Sequence, residues 1–267
     1  MSELDALDPR FRLILCDIWG CVHDGIRLLP GVAARLAAWK GEGRTIILVT
    51  NAPRTEATIA RELEWLGLPR SAYGRIDSSG EAGIAALTSL GRPIGFLGTA
   101  DDRAELERAG VAFVAESRAT DIACIGFDDH RASLADYAAD LDRWAARGVT
   151  LHCLNPDRVA MVGDVAVPCA GAIADAYEAR GGCVVWYGKP HPAIYQHVLA
   201  MAGSPPRDTV VAIGDGLMTD MLGAARHGIA AIFVTGGIHR GAAFPPDFAK
   251  AHGLGDWRPL FTIDSLA

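Results

Sequence analysis

Two carboxylates, a hydroxyl and a lysine are the residues of this chain whose positions suggest chemistry. Asp17, Thr50 and Asp215 each stand at the end of a short apolar run, and Lys189 lies in a Gly-Lys-Pro turn. Magnesium prefers carboxylate oxygens, and a lysine and a hydroxyl can bind a phosphoryl group. A single strand-end carboxylate more often caps backbone amides, and a single lysine is more often a surface residue. Together the four favour phosphoryl transfer to Asp17, with Asp17 and Asp215 sharing a magnesium ion that offsets the repulsion between two anions.

The residues around Asp215 support this interpretation. The Gly-Asp-Gly turn at 214–216 keeps bulky side chains away from a metal ion. Asp220 lies five residues after Asp215, where it could orient Lys189 or a metal-bound water. We therefore include Asp220 in the predicted metal site.

Four apolar runs must position these side chains. Continuous apolar runs without alternation are typical of strands covered on both faces, as in a parallel sheet. Between the runs lie segments whose apolar residues recur at helical spacing, such as Val32, Leu36 and Trp39. The sequence therefore predicts a doubly wound, Rossmann-like α/β sheet, whose ligands bind beyond the carboxyl ends of the strands. The four runs are residues 11–16, 45–49, 210–213 and 230–234.

A second α/β unit is predicted in the middle of the chain, inserted between the two halves of the first. We place this cap domain at residues 84–184 and the core at residues 1–83 and 185–267. Alternating strand and helix patterns within the insert support the division. The predicted strands are 94–97, 122–127 and 149–154, and the predicted helices are 133–147 and 168–180. The apolar face of the first helix would carry Leu134, Tyr137, Leu141 and Trp144.

Composition limits the classes of partner and location. The chain has 267 residues, half of them hydrophobic, and a formal net charge of −7 with both signs interspersed. Nucleic-acid binding is not expected, because phosphate backbones require a clustered positive face. No run approaches the roughly 18 apolar residues that span a bilayer, and the acidic N-terminus lacks an apolar signal segment, so we expect a cytoplasmic protein. The six cysteines form no CxxC pair, which favours reduced thiols.

The motifs of competing α/β enzyme classes are missing. The loop after the first predicted strand has no GxGxxG dinucleotide signature, and the chain contains neither a GxxxxGK(S/T) phosphate loop nor a GxSxG nucleophile turn. A receiver-like signalling domain also uses a strand-end aspartate with magnesium, but it would be far shorter and would not need the central insert.

Four segments resemble the motifs of the haloacid dehalogenase (HAD) superfamily, in order. They are DIWGCVHDG at 17–25, LVTNAPR at 48–54, GKPHPAIY at 188–195 and GDGLMTD at 214–220. The insert between the second and third motifs is similar to the large α/β cap of class IIA, the NagD-like sugar phosphatase branch. LNPD at 154–157 resembles a substrate-facing loop of that cap. The resemblance covers nearly the whole chain.

This resemblance implies a magnesium-dependent phosphatase for a small phosphorylated metabolite, such as a sugar phosphate or a nucleotide. Asp17 would be the nucleophile and would form an aspartyl-phosphate that water hydrolyses. Magnesium would bind Asp17, the backbone carbonyl of Trp19 and Asp215, and the exposed cap could support a homodimer. The other residues implied at the site are Thr50 and Lys189 on the phosphoryl group, Asn51 and Gly20 beside the substrate, and Asn155 and Asp157 facing its leaving group.

Trp19 departs from the pattern of the superfamily. Phosphatases of this kind carry a second aspartate two residues after the nucleophile, which protonates the leaving group and later activates water. Such acid–base help is typically worth ~10²–10⁴ in rate. His23 has an intrinsic pKa suited to proton transfer near neutrality, and Asp24 lies in the same loop, so both are candidates for the role. A lone histidine is, however, more often a structural residue.

Three alternatives therefore stay open at the level of the sequence. Another group supplies the proton, or the substrate has a good leaving group, as in an acyl phosphate, or catalysis is weakened or lost and the chain binds a phosphorylated metabolite. Members that cleave carbon–phosphorus or carbon–halogen bonds also lack the second aspartate, but a dehalogenase needs no metal, and the intact GDGLMTD segment argues against one. We favour phosphatase chemistry with an altered acid–base group.

Overall fold

Six parallel strands form the larger sheet of the computed structural model, which describes residues 3–131, 133–162, 165–238 and 241–267. The predicted α/β fold class is confirmed. Four of the strands coincide with the predicted apolar runs, and two outer strands, β3 and β12, were not predicted. The strands are β1 (Leu13–Cys16), β2 (Thr45–Thr50), β3 (Arg75–Ser78), β10 (Val210–Gly214), β11 (Ala230–Val234) and β12 (Phe261–Ile263), in the spatial order β12-β11-β10-β1-β2-β3.

Helices cover both faces of this sheet, which explains why its central strands are continuous apolar runs. Ile14 and Cys16 of β1 pack against the helices of one face, and Leu13 and Leu15 pack against those of the other. The first face carries α1 and α2, and the second carries α7 and α8. The helices of the chain are α1 (Val32–Gly41), α2 (Glu56–Trp65), α3 (Ser79–Ser89), α4 (Ala100–Arg108), α5 (Ala138–Arg147), α6 (Ala170–Glu178), α7 (Pro192–Met201), α8 (Leu222–Arg226) and α9 (Phe248–Ala251).

The direction of the chain across the sheet reverses between β1 and β10. From β1 the chain continues to β2 and β3 on one side, and from β10 to β11 and β12 on the other. In open α/β sheets, ligands bind in the crevice at the carboxyl ends of the strands where the order reverses. Cys16 pairs with both Ile213 and Leu48, so the residues that follow these strands meet at this crevice.

A second, four-stranded parallel sheet is formed mainly by residues of the predicted cap. Its strands are β4 (Gly95–Leu97), β5 (Asp121–Cys124), β6 (Thr150–Cys153) and β9 (Cys183–Trp186), in that spatial order. The proposed division of the chain at residues 84 and 184 stays a prediction. Both points fall inside regular elements, since α3 extends across the first and β9 across the second.

Two details of the predicted cap were wrong. Leu134 is 38% exposed and lies in a short 3₁₀ turn before α5, so it does not belong to the buried face formed by Tyr137, Leu141 and Trp144. The helix expected from residue 168 begins instead at Ala170. The preceding residues form an antiparallel hairpin of β7 (Val159–Val162) and β8 (Val165–Pro168), in which Pro168 pairs with Val159.

Two further sequence observations can be compared with the structure. All six cysteines are free thiols, and only Cys183 is exposed. None of the helices in the described ranges is both long enough and apolar enough to cross a membrane.

The packing of α1 and α2 gives a test with a matched control. Trp39 of α1 is 1% exposed within the core of the sheet, whereas Trp65 at the end of α2 is 81% exposed. We expect Trp39→Ala to lower the free energy of unfolding by about 3–5 kcal/mol, because it removes a buried aromatic side chain and leaves a cavity. Trp65→Ala should change it by less than about 0.5 kcal/mol. Urea unfolding followed by circular dichroism measures both, and equal effects would contradict the packing described.

Candidate active site

The ammonium of Lys189 joins the predicted site residues. Its Nζ donates hydrogen bonds to Asp17 Oδ1 at 2.5 Å, to Asp220 Oδ1 at 2.8 Å and to the backbone carbonyl of Val49 at 3.0 Å. Asp17 follows β1, Val49 belongs to β2, and Asp220 lies in the π-helical turn Leu217–Met221 before α8. The three charged side chains are buried. Lys189 therefore holds together three elements that are distant in sequence.

Negative charge exceeds positive charge in this cluster. Burial alone would lower the pKa of Lys189, but Asp17 and Asp220 outweigh it and raise that pKa well above its usual value. Burial and the charge of Asp220 raise the pKa of Asp17, and the same two causes raise the pKa of Asp215 to about 7. Among the described residues, one ammonium thus faces three carboxylates. A divalent cation beside Asp17 and Asp215 would supply the missing charge and keep both ionised.

The donor atoms at this point fit a hard cation. Ligand atoms of Asp17, Asp215 and Cys21 all lie within 4.8 Å of one another. Burial raises the pKa of the Cys21 thiol well above its usual value, and a protonated thiol does not bind magnesium. The two carboxylates are therefore the side chains that fit the predicted metal ion.

Asp220, which the sequence placed with the metal site, is engaged elsewhere. Its Oδ1 accepts from Lys189, and its Oδ2 accepts from the backbone amide of Gly216 at 3.1 Å. Asp220 does not belong to the metal-ligand group found among the described residues. This geometry agrees with the other role considered for Asp220, which is to orient the side chain of Lys189.

Two glycines make room for the carboxylate of Asp215. A Cβ atom at Gly20 or at Gly237 would overlap this carboxylate, and Gly20 also has a φ of +76° that side chains rarely adopt. The backbone amide of Ile238 donates to Asp215 Oδ2 at 2.6 Å. Gly20 lines the cavity at the site and makes room for Asp215, while its place beside the substrate stays a prediction.

Thr50 and Asn51 hold the other side of the site. Thr50 Oγ1 accepts from the amide of Ala52 at 3.1 Å, which leaves its own hydrogen available to a phosphoryl oxygen. Asn51 Oδ1 accepts from the backbone amide of Lys189 at 2.7 Å, and Asn51 Nδ2 donates to the backbone carbonyl of Lys189 at 3.0 Å. Asn51 therefore fixes the main chain from which the Lys189 side chain extends.

The LNPD loop of the cap contacts the core at the same asparagine. Asn51 Nδ2 also donates to Asp157 Oδ1 at 2.8 Å. Within the loop, Asn155 Oδ1 accepts from the amide of Asp157 at 3.1 Å. The hydroxyl of Ser79 donates to the carbonyl of Leu154 at 2.5 Å and lies 2.7 Å from the carbonyl of Asn51. The structure thus brings both predicted cap residues next to the core site.

The predicted acid–base role of His23 is not supported by its surroundings. His23 is 1% exposed and is not among the residues that line the cavity. Burial lowers its pKa to about 4, and its Nδ1 accepts from the amide of Gly25 at 2.9 Å. Its ring lies edge-on to Trp19, with centroids 4.9 Å apart. His23 is therefore a neutral, structural residue that supports the loop and the indole of Trp19.

Asp24, the other candidate in this loop, lines the cavity but is bound by its own turn. Its Oδ1 accepts from the amides of Ile26 and Arg27 at 3.0 and 2.9 Å. Burial would raise the pKa of Asp24, but these hydrogen bonds outweigh it and lower that pKa. A carboxyl group that stays ionised is a poor proton donor.

A cavity of about 1020 Å³ lies over these side chains, between the two sheets. Its floor includes Asp17, Thr50 and Lys189, and Trp19 lines it beside them. Sequence reasoning missed its apolar wall, part of which is formed by the unpredicted hairpin of β7 and β8. It also missed Arg54, although this residue ends the segment that resembles the second motif. The apolar residues missed are Val159, Val167, Met218 and Ile238.

Two family models match the chain. The family described as haloacid dehalogenase-like hydrolase matches residues 14–112, and the family described as HAD-hydrolase-like matches residues 186–257. A solved structure from Brucella suis 1330, a hydrolase of the haloacid dehalogenase-like family, is 32% identical with a TM-score of 0.85, and the alignment covers 99% of this chain and 98% of that one. The chain belongs to the haloacid dehalogenase-like hydrolase family.

Characterised relatives indicate the branch of the HAD family. Ribonucleotide monophosphatase NagD of Escherichia coli K12 is 27% identical over 230 residues, which are 84% of this chain and 88% of NagD. Dihydroxyacetone phosphatase of Corynebacterium glutamicum strain R is 30% identical over 121 residues, which are 45% of this chain and 41% of that protein. The assignment to the class IIA, NagD-like phosphatases is confirmed.

The buried state of His23 predicts a pH dependence of stability. Its folded pKa of about 4 lies below the unfolded value of 6.5, so the unfolded chain binds a proton first as the pH falls. Neutral His23 makes its full contribution to the free energy of unfolding above pH 6.5. This contribution is lost as the pH falls from 6.5 to 4. Between pH 7 and pH 5 we expect this residue to account for a loss of about 2 kcal/mol.

Urea unfolding of the native chain and of His23→Asn across this range measures the effect. Asparagine can still accept the hydrogen bond from Gly25 but does not titrate, so the pH dependence of the two proteins should differ by this amount. Identical pH dependence would show that His23 is not buried in the neutral form.

Proposed function

We propose that this HAD phosphatase hydrolyses a small phosphorylated metabolite through an aspartyl-phosphate on Asp17, with magnesium as its cofactor. The observation that carries the proposal is the contact between Lys189 Nζ and Asp17 Oδ1 at 2.5 Å, on the floor of a cavity that Thr50 and Asp215 also line. A lysine ammonium, a hydroxyl and two carboxylates at one point are the groups that phosphoryl transfer to a carboxylate requires.

The side chains of the core would bind and orient the phosphoryl group. Lys189 places a positive charge beside the nucleophile, and Thr50 can donate its hydroxyl hydrogen to a phosphoryl oxygen. Asp17, Asp215 and the backbone carbonyl of Trp19 would hold magnesium, which supplies charge neutralisation between the carboxylate and the phosphoryl group. Asp220 keeps Lys189 in place through its own ion pair at 2.8 Å.

The reaction has two steps that use the same nucleophile. A carboxylate oxygen of Asp17 attacks phosphorus, and the bond from phosphorus to the leaving oxygen breaks. Water then attacks phosphorus in the aspartyl-phosphate and releases inorganic phosphate and free Asp17. The indole of Trp19 stands where the superfamily usually has its acid–base aspartate, so the proton for the leaving oxygen must come from another group.

A small metabolite is the substrate class that the relatives and the site favour. NagD is named for ribonucleotide monophosphates and the Corynebacterium protein for dihydroxyacetone phosphate, both of which are small phosphate esters. Asn155 and Asp157 would contact the leaving group from the cap side of the cavity. A cytoplasmic location and a homodimer formed through the cap stay predictions from the sequence.

Replacement of the nucleophile gives the first test of this function. We expect Asp17→Asn to lower kcat by at least about 10⁴-fold, because the amide cannot attack phosphorus. The assay uses magnesium with a panel of phosphomonoesters and acetyl phosphate, and thermal unfolding confirms that the variant is folded. Full activity in Asp17→Asn would contradict the proposed nucleophile, and a native chain that binds phosphate esters without turnover would favour a phosphometabolite-binding protein.

The two ends of β10 provide a test of the metal site. Asp215 follows the carboxyl end of the strand, whereas Asp208 is exposed in the turn before its amino end. We expect Asp215→Asn to raise the magnesium concentration for half-maximal activity at least about 10-fold, since even outer-sphere partners of a metal are worth about 10–100-fold. Asp208→Asn should leave it unchanged. A magnesium titration that gives the same midpoint for both variants would remove Asp215 from the metal site.

A further inference from the structure

We propose that Asp157 of the cap loop is the general acid–base residue of this active site, in the role that Trp19 cannot fill. The inference rests on the proposed phosphatase function. The acid–base role requires a carboxyl group that lines the cavity and is held beside the phosphoryl-binding residues. One of its oxygens must also be free to carry a proton.

The other cavity-lining carboxyl groups outside the metal site are committed to structural contacts. Asp24 binds its own turn through Ile26 and Arg27. Asp102 caps α4, where its Oδ2 accepts from the hydroxyl of Thr99 at 2.7 Å. Glu62 pairs with Arg54 at 3.8 Å. Asp17 and Asp215 belong to the nucleophile and the metal site, and of the other carboxyl groups that line the cavity Asp157 is the one hydrogen-bonded to Asn51 of the core site.

Asp157 is also linked to the residues around Asp17 by a short chain of hydrogen bonds. Asn51 Nδ2 donates to Asp157 Oδ1 at 2.8 Å, and Asn51 Oδ1 accepts from the amide of Lys189 at 2.7 Å. The side chain of Lys189 in turn contacts Asp17. Asp157 Oδ1 thus accepts the hydrogen bond that fixes the carboxyl group, while no described residue hydrogen-bonds Oδ2 or forms an ion pair with Asp157. Oδ2 is therefore available for the proton.

The electrostatic environment of Asp157 favours its protonated form. Burial raises its pKa, while the hydrogen bond from Asn51 and the charge of Lys189 act in the opposite direction and do not cancel the effect. Asp220 raises the pKa further and Arg158 lowers it, and the thiols of Cys153 and Cys169 also interact with this carboxyl group. A raised pKa moves a carboxyl group toward the protonated form that a general acid requires.

The proposed proton transfers balance over the two steps. When Asp17 bonds to phosphorus and the leaving oxygen departs with the bonding electrons, Asp157 Oδ2 gives its proton to that oxygen and becomes a carboxylate. The product alcohol leaves, and water takes its position beside the aspartyl-phosphate. The Asp157 carboxylate accepts a proton from the water as its oxygen attacks phosphorus. Phosphate is released, Asp17 is again a carboxylate, and Asp157 is again protonated.

Asp157→Asn tests this role with little structural change. The asparagine oxygen can still accept the hydrogen bond from Asn51, but the amide cannot donate an acidic proton. We expect kcat/KM for alkyl phosphates, whose leaving groups need protonation, to fall by about 10²–10⁴. For p-nitrophenyl phosphate and acetyl phosphate, whose leaving groups depart without a proton, the loss should be less than about 10-fold. The decline of kcat/KM for alkyl phosphates toward high pH, where Asp157 ionises, should also disappear.

Two further variants separate proton transfer from binding. Asn155→Ala, which removes a neighbouring cap contact without an acidic group, should lower kcat/KM for both kinds of substrate by similar factors. Trp19→Asp in the Asp157→Asn background places a carboxyl group at the usual position of the superfamily and should restore the hydrolysis of alkyl phosphates selectively. Equal losses on activated and alkyl phosphates in Asp157→Asn would reduce Asp157 to a binding residue and overturn the proposal.

These outcomes are distinct from a failure of the proposed function. If the native chain hydrolyses no phosphate ester or acyl phosphate, the phosphatase proposal itself is wrong. If the native chain is active and Asp157→Asn matches it on every substrate, only the role of Asp157 is wrong.

Discussion

The structure depends on one buried interaction, the ammonium of Lys189 between the carboxylates of Asp17 and Asp220. Burial of three charges is unfavourable unless they are paired and hydrogen-bonded, and removal of one partner from such a cluster typically destabilises a protein by about 3–5 kcal/mol. Here Lys189 Nζ is fully engaged by the two carboxylates and the carbonyl of Val49. The neighbouring elements provide these partners, since the parallel pairing of β1 with β2 brings Asp17 and Val49 together and the π-helical turn Leu217–Met221 brings Asp220.

The same cluster explains why the site should bind a cation and a phosphoryl group. Three carboxylates against one ammonium leave an excess of negative charge among the described residues, which burial makes unfavourable. A divalent cation at Asp17 and Asp215 would offset it and, in the proposed reaction, would reduce the repulsion between the carboxylate of Asp17 and the phosphoryl group. Asn51 links this cluster to the cap, because its side chain hydrogen-bonds both the main chain of Lys189 and the carboxyl group of Asp157.

The sequence predicted the elements that are buried on both faces. The strands β1, β2, β10 and β11 are continuous apolar runs, and such runs have few alternatives to a covered parallel sheet. By contrast, β3 has the sequence Arg-Ile-Asp-Ser, and β12 is only the three residues Phe-Thr-Ile, so neither forms a continuous apolar run. The β7–β8 hairpin is a different case, because Val159–Val162 and Val165–Pro168 are apolar in sequence but form a separate two-stranded sheet, in which residues 165–168 are exposed.

The site residues that lie at strand ends could be predicted from the sequence. The residues whose role depends on burial in the folded chain were harder to predict. Asp17, Thr50, Lys189 and Asp215 follow from residue type and position, and the structure brings them together. The burial of His23, which does not support its predicted role, could not be predicted because it depends on how the loop folds beneath Trp19. The proximity of Asp157 to Asn51 depends on the docking of the cap, and no local pattern in the sequence encodes a contact across 106 residues.

The measurement that tests the central claim most directly is the capture of the phosphoryl group on Asp17. The full chain with magnesium is mixed with acetyl phosphate or p-nitrophenyl phosphate, quenched in acid within one turnover, digested and analysed by mass spectrometry. We predict that the peptide containing Asp17 gains the mass of one phosphoryl group, and that the gain is located on this carboxylate. Turnover without any phosphorylated Asp17 in the quenched samples, or with the phosphoryl group on another residue, would contradict the account.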